Sequence, residues 1–211
     1  MRIAGLSAAV VAVCAAWSGA AVVGTTGAVA TAPLPASLVQ GAMESNTTAW
    51  IMFERERVLN QPVEVDITSA GVFDQLADLT PGAIAAGTRV RSYILHADPV
   101  GSSVRTYEGT VRFDEVVIGI IVRGTRLAAT DSLLGGIGTT YDGASEGRGL
   151  ELNQAGTADE VSLSMTPDRR IVGIRWTAST ATDEIRILTI PGPGTAGVTL
   201  LGVIAVARRR R

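Results

Sequence analysis

The stretch that decides the fold runs from Val161 to Thr177 and reads VSLSMTPDRRIVGIRWT. Its first half, Val161–Met165, alternates strictly between apolar and polar residues, which is typical of a strand with one buried face. A turn follows at Thr166–Arg169, because Pro167 has the backbone angle that the second position of a turn requires. Ile171–Thr177 then alternates again. The stretch therefore predicts a β-hairpin.

Other short alternating segments lie on both sides of this hairpin and predict further strands. They are Trp50–Glu56, Val63–Ile67, Arg89–His96, Val104–Phe113, Val116–Val122 and Glu184–Ile187. Two segments between them read differently. Ala70–Leu79 has near-helical apolar spacing without a strong cap, so helix and loop both stay open. The glycine-rich, polar segment Thr130–Gly149 predicts a large surface loop, where binding residues are most easily placed. The pattern predicts an all-β fold, an antiparallel β-sandwich of jelly-roll-like type.

The amino end has the three parts of a secretory signal peptide. Arg2 supplies the positive charge, Ile3–Val23 is apolar apart from two serines, and Ala28-Val29-Ala30 is a small-x-small cleavage site. We therefore expect a signal helix that is removed by cleavage after Ala30.

The carboxyl end is apolar and then strongly basic. Ile190–Arg211 reads IPGPGTAGVTLLGVIAVARRRR. Its apolar part, Gly194–Ala207, is about 21 Å long as a helix, against a hydrocarbon core about 30 Å thick. The terminal arginines are expected to stay on the cytoplasmic side. These features predict a short C-terminal transmembrane helix that holds the chain in the inner membrane transiently.

The combination of the two ends resembles the PEP-CTERM sorting class of bacterial surface proteins. The residues that carry the resemblance are Pro191, Gly192, Pro193, Arg208, Arg209, Arg210 and Arg211. Gly192 stands where this class has a glutamate. The resemblance implies export by the secretion machinery, processing of the tail by an exosortase-type membrane enzyme, and delivery to the cell surface or extracellular matrix.

The middle of the chain resembles an uncharacterised, exported β-rich domain of the same class. The resemblance is carried by SYILHADPVGSS, FDEVVIGIIV, ATDSLLGGIGTTYD and MTPDRRIVGIRW. It implies a β domain over residues 45–189, after a signal peptide (1–30) and a flexible lead-in (31–44), and before a sorting tail (190–211). It implies no catalytic residues.

Charge and cysteine content exclude several kinds of function. The formal net charge of the chain is −2, and every one of its 18 basic residues is arginine. Removal of Arg2 and the four tail arginines makes the charge of the mature domain −7. Nucleic acid is therefore not an expected partner, because it requires a basic surface. The single cysteine, Cys14, lies in the signal peptide, so no disulfide or thiol chemistry is expected in the domain.

One motif is typical of a catalytic nucleophile. Gly143-Ala144-Ser145-Glu146-Gly147 matches the G-x-S-x-G elbow of serine hydrolases. The elbow needs a strand before the serine and a helix after it, and neither is predicted here. The one histidine, His96, lies far upstream, although elbow enzymes place it after the serine. We therefore predict that the protein is not an enzyme.

Acidic residues at strand ends and in the long loop form a candidate ligand or calcium site. They are Asp98, Asp131, Asp142, Glu146 and Glu151. Calcium takes six to eight oxygen ligands, but no D-x-D-x-D-G spacing is present. A solvated acidic loop is the alternative, and no other cofactor is expected.

These observations favour an exported structural or interaction protein of the cell surface or matrix, with exopolysaccharide as a candidate partner. A carbohydrate-binding module, assisted by calcium, is the alternative, and a secreted hydrolase is less favoured. Aromatic residues make up only 4% of the chain, which disfavours a surface that stacks on sugars.

Overall fold

The computed structural model describes residues 22–143, 147–152, 159–164 and 168–192, and these form an all-β fold. The elements, in chain order, are β1 (Val22–Gly27), β2 (Val29–Thr31), β3 (Ser37–Leu38), β4 (Ala49–Val58), β5 (Val63–Val65), β6 (Gly71–Phe73), a 3-10 turn (Leu76–Asp78), β7 (Gly82–Ile84), β8 (Arg89–Ala97), β9 (Arg105–Phe113), β10 (Val116–Ile121), α1 (Gly124–Leu134), β11 (Thr140–Tyr141), β12 (Glu160–Leu163), β13 (Ile171–Ala178) and β14 (Asp183–Ile190).

Five strands form sheet A in the order β1-β9-β13-β12-β6, and every neighbouring pair is antiparallel. The predicted hairpin is confirmed as β12 and β13. Its register pairs Glu160 with Arg175 and Leu163 with Val172. The turn predicted between the two strands lies partly outside the described residues.

Five further strands form sheet B in the order β10-β14-β8-β4-β2. The first four are antiparallel neighbours, and β2 runs parallel to β4. Two small pairs accompany the large sheets: β3 with β11, parallel, and β5 with β7, antiparallel. Each strand segment predicted from alternation overlaps one of these strands.

The two large sheets share one apolar cluster. Sheet A contributes Trp176 and Phe113, and sheet B contributes Tyr93 and Ile187, all of them buried. The rings of Tyr93 and Phe113 meet edge to face, with their centroids 5.2 Å apart. This cluster is the main core of the described fold.

A second apolar cluster involves the other face of sheet B and the helix α1. Val90 and Ile94 of β8 belong to it, whereas Tyr93 of the same strand belongs to the main core. The alternation predicted for β8 is therefore confirmed. From the helix, Leu127 and Leu134 complete this cluster.

Two segments differ from the sequence predictions. α1 includes the first residues of the segment predicted as a surface loop, and β11 lies within it. That prediction is wrong because part of the segment packs on sheet B. Ala70–Leu79 forms β6 and a short 3-10 turn rather than an α-helix.

The amino-terminal strands begin upstream of the cleavage site predicted at Ala30. β1 pairs with β9 in sheet A, and β2, which contains Ala30, pairs with β4 in sheet B. In the part of the chain that is described, no helix has the length and apolar character needed to cross a membrane. The predicted transmembrane stretch, Gly194–Ala207, and the terminal arginines lie outside the described residues.

Candidate functional site

Residues from distant parts of the chain contact both ends of α1, in addition to the bond from the Gly135 amide to the carbonyl of Asp131 at its carboxyl end. The carboxylate of Asp66, which is fully buried, accepts hydrogen bonds from the amides of Val122 and Arg123, at 2.9 and 3.1 Å. At the other end, Arg55 and Arg57 of β4 both donate to the carbonyl of Leu133. Negative charge at the amino end and positive charge at the carboxyl end of a helix are both favourable.

A bulge in β4 places an acidic residue beneath this helix. The register of β4 against β8 shifts between Phe53 and Arg55. A bulge allows consecutive residues to point to the same side of a sheet. Phe53 packs against Tyr93 on the core side, whereas Glu54 and Arg55 both contact groups on the helix side. The bulge thus directs the carboxylate of Glu54 into the space between sheet B and α1.

Arg186 of β14 faces Glu54 and is completely buried. Its Nε and Nη2 donate to the two carboxylate oxygens of Glu54, each at 2.8 Å. Nη2 also donates to Asp131 at 2.9 Å, and Nη1 donates to the hydroxyl of Thr130 and the carbonyl of Leu127. The guanidinium therefore joins β14, β4 and α1 through five hydrogen bonds.

The carboxylate of Glu54 is equally well satisfied. Besides the two bonds from Arg186, it accepts a hydrogen bond from the hydroxyl of Ser92 at 2.6 Å and one from that of Tyr141 at 2.7 Å. Burial by itself lowers the pKa of Arg186, and the Glu54 and Asp131 carboxylates more than offset this, so its pKa lies above the usual value. Arg186 therefore remains charged inside the fold.

Arg148 is the second buried arginine of this region. It donates from Nε to Glu184 at 2.6 Å, and from Nη1 and Nη2 to the two oxygens of Asp131, at 2.6 and 3.0 Å. Nη1 also donates to the carbonyl of Asp142. Both buried arginines thus meet at Asp131 on α1. Both guanidinium groups also lie over the ring of Tyr141. Their central carbons are 5.3 Å (Arg148) and 5.6 Å (Arg186) from the centroid of this ring.

His96 ends this chain of contacts. Its Nδ1 donates to Glu184 at 2.8 Å, and both side chains are fully buried. Burial by itself raises the pKa of Glu184. The hydrogen bond from His96 and the charge of Arg148 lower this pKa by more than burial raises it, so the net pKa is below the usual value. The other imidazole nitrogen, Nε2, is buried and has no hydrogen-bond partner among the described residues.

We call the set Glu54, Asp131, Arg148, Glu184 and Arg186 the buried ion-pair network. Four of its members have fully buried or nearly fully buried side chains, and Asp131 keeps 20% of its side-chain surface exposed. Breaking such a network by removing one partner is costly, because the remaining charge is left buried and uncompensated. Its evident chemical role is to fix α1 and the loop around Arg148 to sheet B.

A solvent-filled cleft of about 420 Å³ opens beside Asp131. Arg55, Tyr141 and the glycine-rich loop 135–139 line it. Ile137, at the tip of this loop, is 91% exposed. The cleft gives solvent access to one edge of the buried ion-pair network, and its lining is mostly polar or glycine.

A pair of buried aspartates, Asp159 and Asp183, lies elsewhere in the fold. Asp159 accepts hydrogen bonds from the amides of Glu151 and Thr177, at 2.8 and 2.9 Å. Burial raises the pKa of Asp159 from 3.8 to about 6. Burial and the charge of Asp159 raise the pKa of Asp183 well above its usual value. One oxygen of Asp183 is buried without a partner among the described residues.

Of the predicted ligand or calcium residues, Asp98 and Asp142 lie near each other, because their carboxylates accept the consecutive amides of Gly41 and Gln40, whereas Asp131 and Glu151 make other contacts. Asp98 is buried and accepts the amide of Gly41, and Asp142 accepts the amide of Gln40. Asp131 is bound to two arginines, and Glu151 contacts Asp159 through its amide. Glu146 lies outside the described residues. In the described ranges, no three His, Cys, Asp or Glu side chains converge in a group that could hold a metal ion.

The serine motif is described only at its two glycines, Gly143 and Gly147, and Ser145 lies outside the described residues. The short strand β11 precedes the motif, but the described residues that follow it, 147–152 and 159–164, contain no helix such as an elbow requires. His96 is tied to Glu184.

The buried ion-pair network was missed by sequence reasoning, apart from Asp131. One signal for it was present: Glu184 and Arg186 alternate with apolar residues in a strand that is otherwise hydrophobic. Two opposite charges on the same face of such a strand indicate a buried pair when a further element covers that face. Arg148 carried no comparable signal, because it stands alone between two glycines.

No protein-family model, no curated protein and no solved structure matches this chain.

Proposed function

We propose that this chain is an exported protein of the cell surface or extracellular matrix, of structural or interaction type, which is delivered by its C-terminal tail. The proposal starts from the two ends of the sequence. The apolar amino end has the character of a secretory signal, and the tail combines Pro191-Gly192-Pro193, an apolar stretch and four arginines. The proposed partners are the secretion machinery, the membrane and an exosortase-type processing enzyme.

The observation that carries the proposal is the position at which the described fold ends. Thr189 of β14 is fully buried, whereas the next residue, Ile190, is 44% exposed. A methyl group added at Gly192 would meet no atom within 4 Å. Sheet B thus ends at Ile190, the first residue of the proposed sorting tail, and this supports a boundary between domain and tail at that position.

The interior of the domain supports a structural role. Two five-stranded sheets share one apolar cluster, which supports a β-sandwich of jelly-roll-like type. The buried ion-pair network uses its polar atoms to hold α1 on sheet B, and His96 is enclosed within the fold. These features favour a rigid exported module over a hydrolase.

Exposure of the aromatic residues bears on the carbohydrate-binding alternative. Among the described residues, Phe53 is the one largely exposed aromatic residue, with 44% of its surface accessible, and Trp176 is fully buried. Proteins that bind sugars by stacking present aromatic rings to solvent. We therefore favour a structural or interaction role, and a glycan array with the exported protein would test the alternative directly.

Fractionation of a bacterium that carries an exosortase tests the proposal. The full chain, a variant that lacks Arg208–Arg211, and a control with four lysines at these positions are each expressed and located by immunoblot and intact mass. We expect the wild type and the lysine control at the surface with both ends trimmed, and the deletion variant retained in the membrane. Normal display of the deletion variant would refute the role of the tail. Recovery of the untrimmed wild type from the cytosol would refute export itself.

A further inference from the structure

The first described residues are part of sheet A. β1 pairs with β9 from Val22, opposite Phe113, to Gly27, opposite Gly109. The hydroxyls of Thr26 and Thr110 lie 2.8 Å apart across this pair. Val22 also packs against the main core. β1 therefore covers the edge of β9, whose amides and carbonyls would otherwise be unpaired.

The chain then crosses from sheet A to sheet B in a tight turn. Gly27 has a φ of +63°, and a Cβ at this position would lie 2.2 Å from the carbonyl oxygen of Glu108. The amide of Ala28 donates to the same carbonyl at 2.8 Å, and the carbonyl of Ala28 accepts the amide of Ala49. Glycine is required where the backbone adopts this conformation so close to a neighbouring strand.

Val29 begins the second of these strands and is 4% exposed within the main core. β2 pairs with β4, with Ala30 opposite Trp50. Residues 22–30 thus contribute one edge strand, a crossing turn and a core side chain. Cleavage after Ala30 would remove all of β1 and two of the three residues of β2.

The sequence offers earlier cleavage sites, just upstream of β1. Ser18-Gly19-Ala20 and Gly19-Ala20-Ala21 are both small-x-small triplets at the end of an apolar run. A signal that ends there has about 20 residues, within the normal range of 15–30.

We infer that signal peptidase cuts this chain next to Ala21, so that the mature protein starts at Ala21 or Val22 and keeps β1 and β2. This inference rests on the proposed export, because only an exported precursor meets that enzyme. Ala28-Val29-Ala30 is then part of the folded domain and not a processing site.

The test is the amino terminus of the protein recovered from the envelope of an exporting bacterium, read by terminal sequencing and intact mass. The wild type is compared with the double variant Ala20→Leu/Ala21→Leu, which removes the small residues that the cut requires. The matched control is Ala30→Val, which places a bulky, strand-favouring residue at the downstream site. We expect a wild-type terminus at Ala21 or Val22, loss of cleavage there in the double variant, and normal cleavage in the control.

The possible results separate this inference from the export proposal. A mature terminus at Thr31, or a block of cleavage by Ala30→Val, would overturn the inference while leaving export intact. An uncut wild-type chain in the cytosol would overturn both. A second measurement covers the case in which Ala30→Val folds poorly: its precursor-to-mature ratio in a brief pulse reports cleavage before degradation. A ratio equal to that of the wild type is the expected outcome, and accumulation of precursor is the opposing one.

Discussion

Replacement of Arg186 by methionine should destabilise the protein severely. The substitution removes five hydrogen bonds and leaves Glu54 buried with only the hydroxyls of Ser92 and Tyr141 as partners. Removal of one member of a buried ion pair costs about 3–5 kcal/mol. Since domains are stable by only about 5–15 kcal/mol, the free energy of unfolding should fall by about a fifth or more.

The assay is urea unfolding of the purified protein at pH 7, followed by tryptophan fluorescence from the buried Trp176. The matched control is Arg89→Met in β8. Arg89 also pairs with a glutamate, Glu56, but its side chain is 61% exposed. Exposed pairs contribute about 0–1 kcal/mol, so the control should unfold close to the wild-type midpoint.

A double-mutant cycle separates the ion pair from simple loss of volume. The variant Glu54→Met/Arg186→Met removes both charges, and apolar replacements of a complete buried pair are often close to neutral. We expect the double variant to be less destabilised than the sum of the two single variants, by about 1–3 kcal/mol. Equal midpoints for Arg186→Met and Arg89→Met, or strictly additive effects in the cycle, would refute the assignment of this network as a main stabilising contact.

Four further outcomes follow from the same structure. Because the pKa of Asp159 is raised from 3.8 to about 6 in the folded state, the folded form binds more protons than the unfolded form between these values. Stability should therefore fall by roughly 3 kcal/mol as the pH rises through this window. Asp183→Asn should raise the urea midpoint at pH 8 and have little effect on it below pH 4. An equal shift of the midpoint at both pH values would contradict the raised pKa of Asp183. Gly27→Ala should lower the free energy of unfolding by more than about 2 kcal/mol, because a side chain strains left-handed backbone and the new Cβ meets a carbonyl oxygen. The control is Gly24→Ala, whose new Cβ meets no described atom within 4 Å. This control should be close to neutral in thermal unfolding. Leu127→Ala should lower stability by about 2–5 kcal/mol, since the side chain of Leu127 on α1 is fully buried. A smaller loss in calorimetry would mean that the helix packs loosely.

The strands were the most predictable part of this protein. Alternation in β8, β12 and β13 reflects a local rule, because successive side chains of a strand point to opposite faces and one face is buried. Between β12 and β13 the sequence contains Pro167, and the preference of proline for a turn is also a local property. The charge of the chain, its single cysteine and the apolar character of its two ends are likewise properties of the sequence alone.

The helix α1 was decided by tertiary contacts. Its amino end is capped by Asp66, which lies 56 residues before Val122, and its carboxyl end is held by Arg55 and Arg57. The face that it presents to sheet B carries Thr130 and Asp131 between two leucines, because it meets buried arginines there. A search for an apolar stripe or for a local side-chain cap at the amino end of this helix therefore finds neither.

The residue at which the β-rich fold begins was also not predictable from the sequence. Ala28-Val29-Ala30 has the composition of a cleavage site, and small residues suit a tight crossing between two sheets equally well. Composition is a property of the segment, whereas burial of Val29 depends on strands that follow it by more than 20 residues. The sequence by itself determined where strands form and how the ends are composed. The tertiary structure decided which charges are buried together, because ion pairing inside a protein depends on which distant side chains the fold brings within hydrogen-bond distance.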